Sequence, residues 1–174
     1  MTSEQLPDEA DKSGLLSEHT RETIDAWLAK FPADDQGRQS ASIQALVAAQ
    51  HQNGGWVSAD LMDAVADYIR VSRITIYEVA TFYSMIETEP VGRHSVSICK
   101  NISCMLCGAD DLVAHVERKL GCKVGQTTPD GRIFLKDEEE CLAACRNAPM
   151  MQVDHVYYTD LTPEKVDEIL DALE

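Results

Sequence analysis

The chain lacks a basic surface, a long apolar run and a glycine-rich phosphate loop. Its 174 residues include 30 acidic against 15 basic side chains, for a net charge of −15. Nucleic-acid binding needs a basic footprint, so this composition disfavours it. No apolar run approaches the length of a membrane span, so we expect no direct membrane insertion. Neither G-x-G-x-x-G nor a Walker sequence occurs, and we expect no nucleotide site.

The first residues also lack the basic and apolar segments of a signal peptide, which predicts a cytoplasmic protein. Thiols stay reduced in that compartment, so its cysteines are expected to bind a metal or cluster in preference to forming disulfides. Hydrophobic residues make up 44% of the chain, enough for one domain with a core or for two small domains.

Three regions are predicted along the chain. Residues 1–18 are polar and acidic, and we expect a disordered tail there. Residues 19–90 carry apolar side chains at helical spacing and predict a helical region. Pro90 and Gly92 then interrupt the pattern, and residues 91–174 form a second domain.

Four helices are predicted in the first half. The first contains Ile24 to Phe31, and the second contains Ile43 to Gln50 and ends near Gly54. Ser58 and Ser72 are positioned to cap the third and fourth helices. The aromatic residues Tyr77, Phe82 and Tyr83 lie on the fourth, either in the core or at an interface.

The second half mixes strands and helices in the predicted order β-α-β-β-β-α, and the fold class is therefore α+β. An alternating strand runs from His94 to Cys99, and a helix from Ala109 is stopped by Gly121. A strand at 133–135 and a hairpin about Asp154-His155 follow. Thr162 and Pro163 begin the last helix, as an N-cap followed by proline at the first helical position.

Four cysteines form two close pairs, which predict one four-thiolate site. Cys99 and Cys104 are spaced C-x4-C, and Cys141 and Cys145 are spaced C-x3-C. Thiolates select zinc, copper(I) or iron–sulfur clusters. Structural zinc pairs are most often C-x2-C, whereas C-x4-C occurs in plant-type ferredoxins. The spacing favours a [2Fe–2S] cluster over zinc, with disulfides as the third alternative.

The other two cysteines have weaker assignments. Cys107 makes C-x2-C with Cys104, so a zinc or thioredoxin-type redox site is an alternative, but it leaves Cys99 without a role. Cys122 follows Gly121 and is expected to pack in the core. The five histidines form no ligand motif. A cluster without a nucleotide pocket must exchange electrons with a partner.

Six motifs occur together in the chain: Tyr77-Glu-Val-Ala-Thr-Phe-Tyr83, Pro90-Val-Gly92, Cys99-x4-Cys104-Met-Leu, Gly125-x-Thr-Thr128, Cys141-Leu-x-Ala-Cys145 and Asn147-Ala-Pro-Met150. With these motifs the chain resembles the small [2Fe–2S] subunit family of NADH–quinone oxidoreductase (respiratory complex I). The resemblance runs from about residue 20 to the C-terminus.

The resemblance implies an N-terminal helical bundle followed by a thioredoxin-like [2Fe–2S] ferredoxin domain. It assigns the cluster to Cys99, Cys104, Cys141 and Cys145. It also implies docking beside a flavoprotein subunit that holds FMN and binds NADH, next to a neighbouring iron–sulfur subunit. The cluster would exchange single electrons with the flavin, and the protein would lie peripheral to the inner membrane through the complex.

The sequence departs from the family at two positions. The family has glycine between its last two ligands, and here the residue is Ala143, which adds a methyl group near the cluster. Cys107 is also unusual after the Cys-Met-Leu run. The same module occurs in diaphorase parts of NAD-linked hydrogenases and formate dehydrogenases, and a free thioredoxin-like ferredoxin and a zinc-stabilised adaptor are further alternatives.

Overall fold

A computed structural model describes residues 10–137 and 141–174 of the chain. The chain divides into two compact units, one ending at Glu89 and the other beginning at Pro90. The first is helical and the second contains a sheet with helices. This α+β arrangement confirms the predicted fold class.

In the described part of the first unit, from residue 10 onward, five helices follow a short 3-10 turn at Ser13–Leu15. They are α1 Glu18–Leu28, α2 Asp35–Ser40, α3 Ser42–Gln52, α4 Ala59–Ile69 and α5 Arg73–Phe82. Both serines predicted as caps are confirmed. The Ser58 side chain accepts a hydrogen bond from the backbone amide of Leu61, and the Ser72 side chain accepts one from the amide of Thr75. α1 ends at Leu28, earlier than the apolar spacing to Phe31 indicates. α2 was not predicted.

The predicted tail is wrong for residues 10–18, and residues 1–9 lie outside the described part of the chain. Leu16 is only 2% exposed and belongs to the core of the first unit. The Lys12 ammonium pairs with Asp60 at 2.9 Å and Asp63 at 2.6 Å, while its amide donates to Asp67 at 2.8 Å. The acidic face of α4 therefore binds the segment that contains Lys12. The polar composition of this segment does not predict these long-range contacts.

The residues described in the second unit form a five-stranded mixed sheet in the order β2-β3-β1-β4-β5. The strands are β1 His94–Ile98, β2 Gln126–Thr127, β3 Ile133–Lys136, β4 Met151–Val153 and β5 Val156–Tyr158. β1 is parallel to β3 and antiparallel to β4, and the other neighbours are antiparallel. β2, with two residues, was not predicted.

Among the described residues of the second unit, three helices accompany the sheet: α6 Ile102–Leu106, α7 Ala109–Leu120 and α8 Pro163–Asp171. Gly121 ends α7 in the left-handed conformation, and Thr162 caps α8 by accepting the amide of Lys165, both as predicted. Asp154 and His155 have positive φ at the hairpin turn. The β1–α6 junction places Cys99 just after a strand and Cys104 inside the following helix.

The core of the second unit lies between the sheet and the two longer helices. Val96, Ile133 and Leu135 from the strands pack with Val116 of α7 and Leu170 of α8. Gly92 lies close to the backbone of β3, where a Cβ would lie 2.7 Å from the Ile133 carbonyl carbon and from the Phe134 nitrogen. No helix in the described residues combines the length and apolar character needed to cross a bilayer.

Candidate iron–sulfur centre

The first cysteine pair is buried at the end of β1. Cys99 and Cys104 are each 1% exposed and form a small apolar cluster with Ala109 and Met150. The Cys99 amide donates to the Met150 carbonyl at 3.1 Å, which extends the contact between β1 and the segment before β4. The turn into α6 then brings Cys104 back to the Cys99 side chain.

Burial raises the pKa of the Cys104 thiol to about 11, and a hydrogen bond with the Cys99 thiol adds to the increase. A hydrogen bond from the backbone of Met150 to the Cys104 sulfur acts in the opposite direction and lowers this pKa. A bare thiolate is therefore disfavoured here, and a positively charged centre such as iron would supply the missing stabilisation.

The second pair lies in an exposed loop that precedes β4. The Sγ atoms of Cys141 and Cys145 are 3.6 Å apart, and the amide of Ala143 donates to the Cys141 sulfur at 3.4 Å. Cys145 is close enough to Cys104 to contribute electrostatically to the raised pKa of that thiol. Leu142, Ala144 and Ala148 pack against the buried cluster of the first pair. The fold thus brings the two pairs to one end of the sheet.

The donor set fits a two-iron cluster. Each iron of such a cluster takes two cysteine thiolates, and the chain offers one buried pair and one exposed pair. All six cysteines are free of disulfides. In residues 10–137 and 141–174, no group of three or more His, Cys, Asp or Glu side chains is arranged to hold one metal ion. The fit therefore rests on the two pairs of thiols.

The remaining candidate residues lie elsewhere. Cys107 is exposed at the end of α6, where its amide bonds to the Ser103 and Cys104 carbonyls. Cys122 is buried in the core of the second unit, as predicted, and burial raises its pKa. The backbone of Met150 and the amide of Ala143 were not predicted as partners of the sulfurs. The sequence carries no signal for either, because Met150 is remote from the first cysteine pair and alanine does not favour the left-handed turn at 143.

Residues 24–174 match the sequence model of a protein family that is described as thioredoxin-like [2Fe–2S] ferredoxin. The chain belongs to the thioredoxin-like [2Fe–2S] ferredoxin family. An iron–sulfur cluster is the cofactor of this family by its description. The match begins inside α1, so it covers the whole second unit and most of the first.

Curated relatives agree with this assignment. An NADH-quinone oxidoreductase subunit of Rhizobium meliloti (strain 1021) is 41% identical over 152 residues, which cover 87% of each chain. The mitochondrial NADH dehydrogenase [ubiquinone] flavoprotein 2 of Dictyostelium discoideum is 43% identical over 150 residues, covering 86% of this chain and 60% of that one. The resemblance inferred from the motifs is confirmed.

A solved structure also shares the fold. An NAD+-reducing [NiFe]-hydrogenase in the H2-reduced state superposes with a TM-score of 0.61 at 20% identity, over 72% of this chain. The match spans 22% of the hydrogenase chain. At 20% identity, this similarity shows a shared fold and nothing further.

Proposed function

We propose that this chain is the [2Fe–2S] electron-transfer subunit of an NADH–quinone oxidoreductase. Its membership of an oxidoreductase complex follows from relatives that align over most of their own length. One structural observation supports the proposal above others. Two cysteine pairs, distant in sequence, lie at the same end of one small sheet, with Cys145 near the buried Cys104.

Cys99, Cys104, Cys141 and Cys145 are the proposed ligands. When bound, the cluster accepts and returns one electron at a time. The buried pair gives it an apolar support, and the exposed pair leaves one side open to a partner. The Ala143 amide and the Met150 backbone bond to the sulfurs and stabilise negative charge there.

The proposed partner is the flavoprotein subunit that holds FMN and binds NADH, with a neighbouring iron–sulfur subunit beside it. The chain has no dinucleotide fingerprint of its own, so the hydride must be received by another subunit. That flavin would divide the electron pair, and Cys99, Cys104, Cys141 and Cys145 would hold the cluster that receives one electron from it. The protein would be cytoplasmic and peripheral to the inner membrane through this complex.

Six single cysteine-to-serine variants test the ligand assignment. Serine at 99, 104, 141 or 145 should lower the bound iron and sulfide strongly or alter the visible spectrum, because an alkoxide is a poor soft ligand. Cys107→Ser and Cys122→Ser are the matched controls and should keep about two irons and two sulfides per chain. Loss of the cluster in Cys107→Ser with its retention in Cys99→Ser would overturn the assignment.

The native partners distinguish this function from the diaphorase alternative. Purification of the chain from its own cells should recover the membrane-arm subunits of a quinone reductase. Recovery of a hydrogenase or formate dehydrogenase catalytic subunit instead would assign the chain to a soluble NAD-linked complex. Both outcomes leave the cluster chemistry unchanged.

A further inference from the structure

Ala143 has a backbone conformation that its side chain disfavours. Its φ is +61°, in the left-handed region where a Cβ crowds the backbone and glycine is the usual residue. The next residue, Ala144, has an ordinary φ of −109°. A non-glycine residue persists in the left-handed region when the surrounding structure holds it there. The neighbouring contacts of Ala143 are therefore informative.

The amide of Ala143 points at a sulfur. It donates to Cys141 Sγ at 3.4 Å, and that sulfur is 3.6 Å from Cys145 Sγ. The short Cys141–Cys145 loop turns back on itself at Ala143, so the left-handed residue and the N–H···S bond occur together. The side chain of Ala143 is exposed, which leaves the backbone as its link to the thiol pair.

We propose that Ala143 is a positioning residue that raises the reduction potential of the cluster by holding its amide on the Cys141 sulfur. This inference rests on the proposed function, in which Cys141 is a ligand. Reduction adds one electron, supplied by the flavin partner or by dithionite, and with it one negative charge on the cluster and its sulfurs. An N–H donor binds the more negative state better, so the bond favours reduction.

Three substitutions at this exposed position separate the backbone effect from side-chain packing. Ala143→Gly and Ala143→Asn tolerate the left-handed conformation, so the full-length protein should keep its native midpoint potential. Ala143→Val is β-branched and disfavours that conformation, so its amide should leave Cys141 and the potential should shift to a more negative value. Ala144→Gly loosens the same loop at an ordinary φ and should leave the potential unchanged.

The potentials are read by dithionite titration followed by EPR. A native potential in an Ala143→Val protein with an intact cluster would overturn the inference. So would an equal negative shift in Ala143→Gly and Ala143→Val, because the methyl group would then matter and the backbone conformation would not. Failure of the native chain to form any cluster would instead contradict the proposed function.

A direct measurement keeps the inference testable if Ala143→Val does not retain its cluster. Protein grown with 15N-alanine and reduced by dithionite should show a 15N hyperfine coupling in pulsed EPR. The coupling should disappear in Ala143→Gly, where the amide at 143 is unlabelled, and remain in Ala144→Gly. A coupling that survives in Ala143→Gly, or is absent from the native protein, would contradict the proposed bond.

Discussion

Single residues of the cysteine site differ in how far the sequence reveals them. The spacing of the cysteines identified two pairs, because each iron of the cluster takes two cysteine thiolates and a short loop can bring two cysteines together. The bond from the Ala143 amide could not be predicted, since it depends on a backbone turn that alanine does not favour. The burial of Cys99 and Cys104 likewise depends on Met150, which is remote in sequence.

His94 provides a residue-scale prediction about pH. A hydrogen bond to Asp154 raises the pKa of His94 above 6.5, with a smaller contribution from the Glu174 backbone, while burial and Arg93 act against it. The ring nitrogens contact the Asp154 carboxylate and, at 3.0 Å, the Glu174 carbonyl. Because the folded-state pKa is raised, this stabilisation is fully present below pH 6.5 and is lost as the pH rises through the folded-state pKa.

The expected result is a pH-dependent difference between His94→Gln and the native protein. The variant should have the lower melting temperature at a pH slightly below 6.5, and the gap should narrow as the solution becomes alkaline. Melting curves of the two proteins at matched pH provide the test. A difference in melting temperature that stays constant, or widens with increasing pH, would show that the pairing of His94 with Asp154 does not stabilise the protein in this pH-dependent way.

Secondary-structure elements were predictable where they carry a strong local signal. The caps Ser58, Ser72 and Thr162 and the turn at Asp154-His155 are all found where the sequence indicated. α6 has five residues, too few for a helical period to be read. α2 was missed because Asp35–Ser40 has no apolar face, although Asp34 caps it by accepting the Gly37 amide.

The entry to β1 provides an element-scale prediction. Ala at position 92 would place a methyl group 2.7 Å from two backbone atoms of β3, and backbone cannot move aside as a flexible side chain can. Gly92→Ala should therefore lower the free energy of unfolding of the second unit by about 1–3 kcal/mol, the usual cost of overpacking. Gly14→Ala is the matched control, because a Cβ there meets nothing within 4 Å and its φ is ordinary.

Two signals allow each unit to be followed separately during denaturation. Trp27 and Trp56 are the two tryptophans of the chain, and both precede Glu89, so their fluorescence reports the first unit. The visible circular dichroism of the cluster reports the second. Gly92→Ala should lower the denaturation midpoint of the cluster signal and leave the fluorescence midpoint unchanged. Equal stability of Gly92→Ala and Gly14→Ala by the cluster signal would contradict the predicted contact.

At the scale of the whole molecule, the helical unit exposes apolar side chains that its own core does not use. Ile74 and Phe82 are 66% and 79% exposed and flank Glu78 along α5. Tyr77 and Tyr83 instead pack against the core of that unit. Of the three aromatic residues noted in the sequence, two therefore contribute to packing, and Phe82 is exposed. An exposed phenylalanine beside a carboxylate suits docking onto a partner with an apolar and basic surface.

A truncation tests this assignment of the helical unit to docking. A chain beginning at Pro90 contains all four proposed ligands and should retain its cluster, but it should fail to co-purify with the flavoprotein subunit. In the full chain, Phe82→Ser should weaken co-purification, whereas Leu15→Ser, which alters another exposed apolar residue of the same unit, should not. Normal co-purification of the truncated chain would refute this role.

In the proposed function, the chain is a one-electron carrier whose electrons come from a flavin on another subunit. EPR of the reduced cluster tests it most directly. The isolated chain should give a rhombic signal with dithionite and none with NADH, since hydride transfer needs a flavin to divide the electron pair. Adding the FMN-bearing partner should make NADH produce the signal. Reduction of the flavin-free isolated chain by NADH would contradict the account.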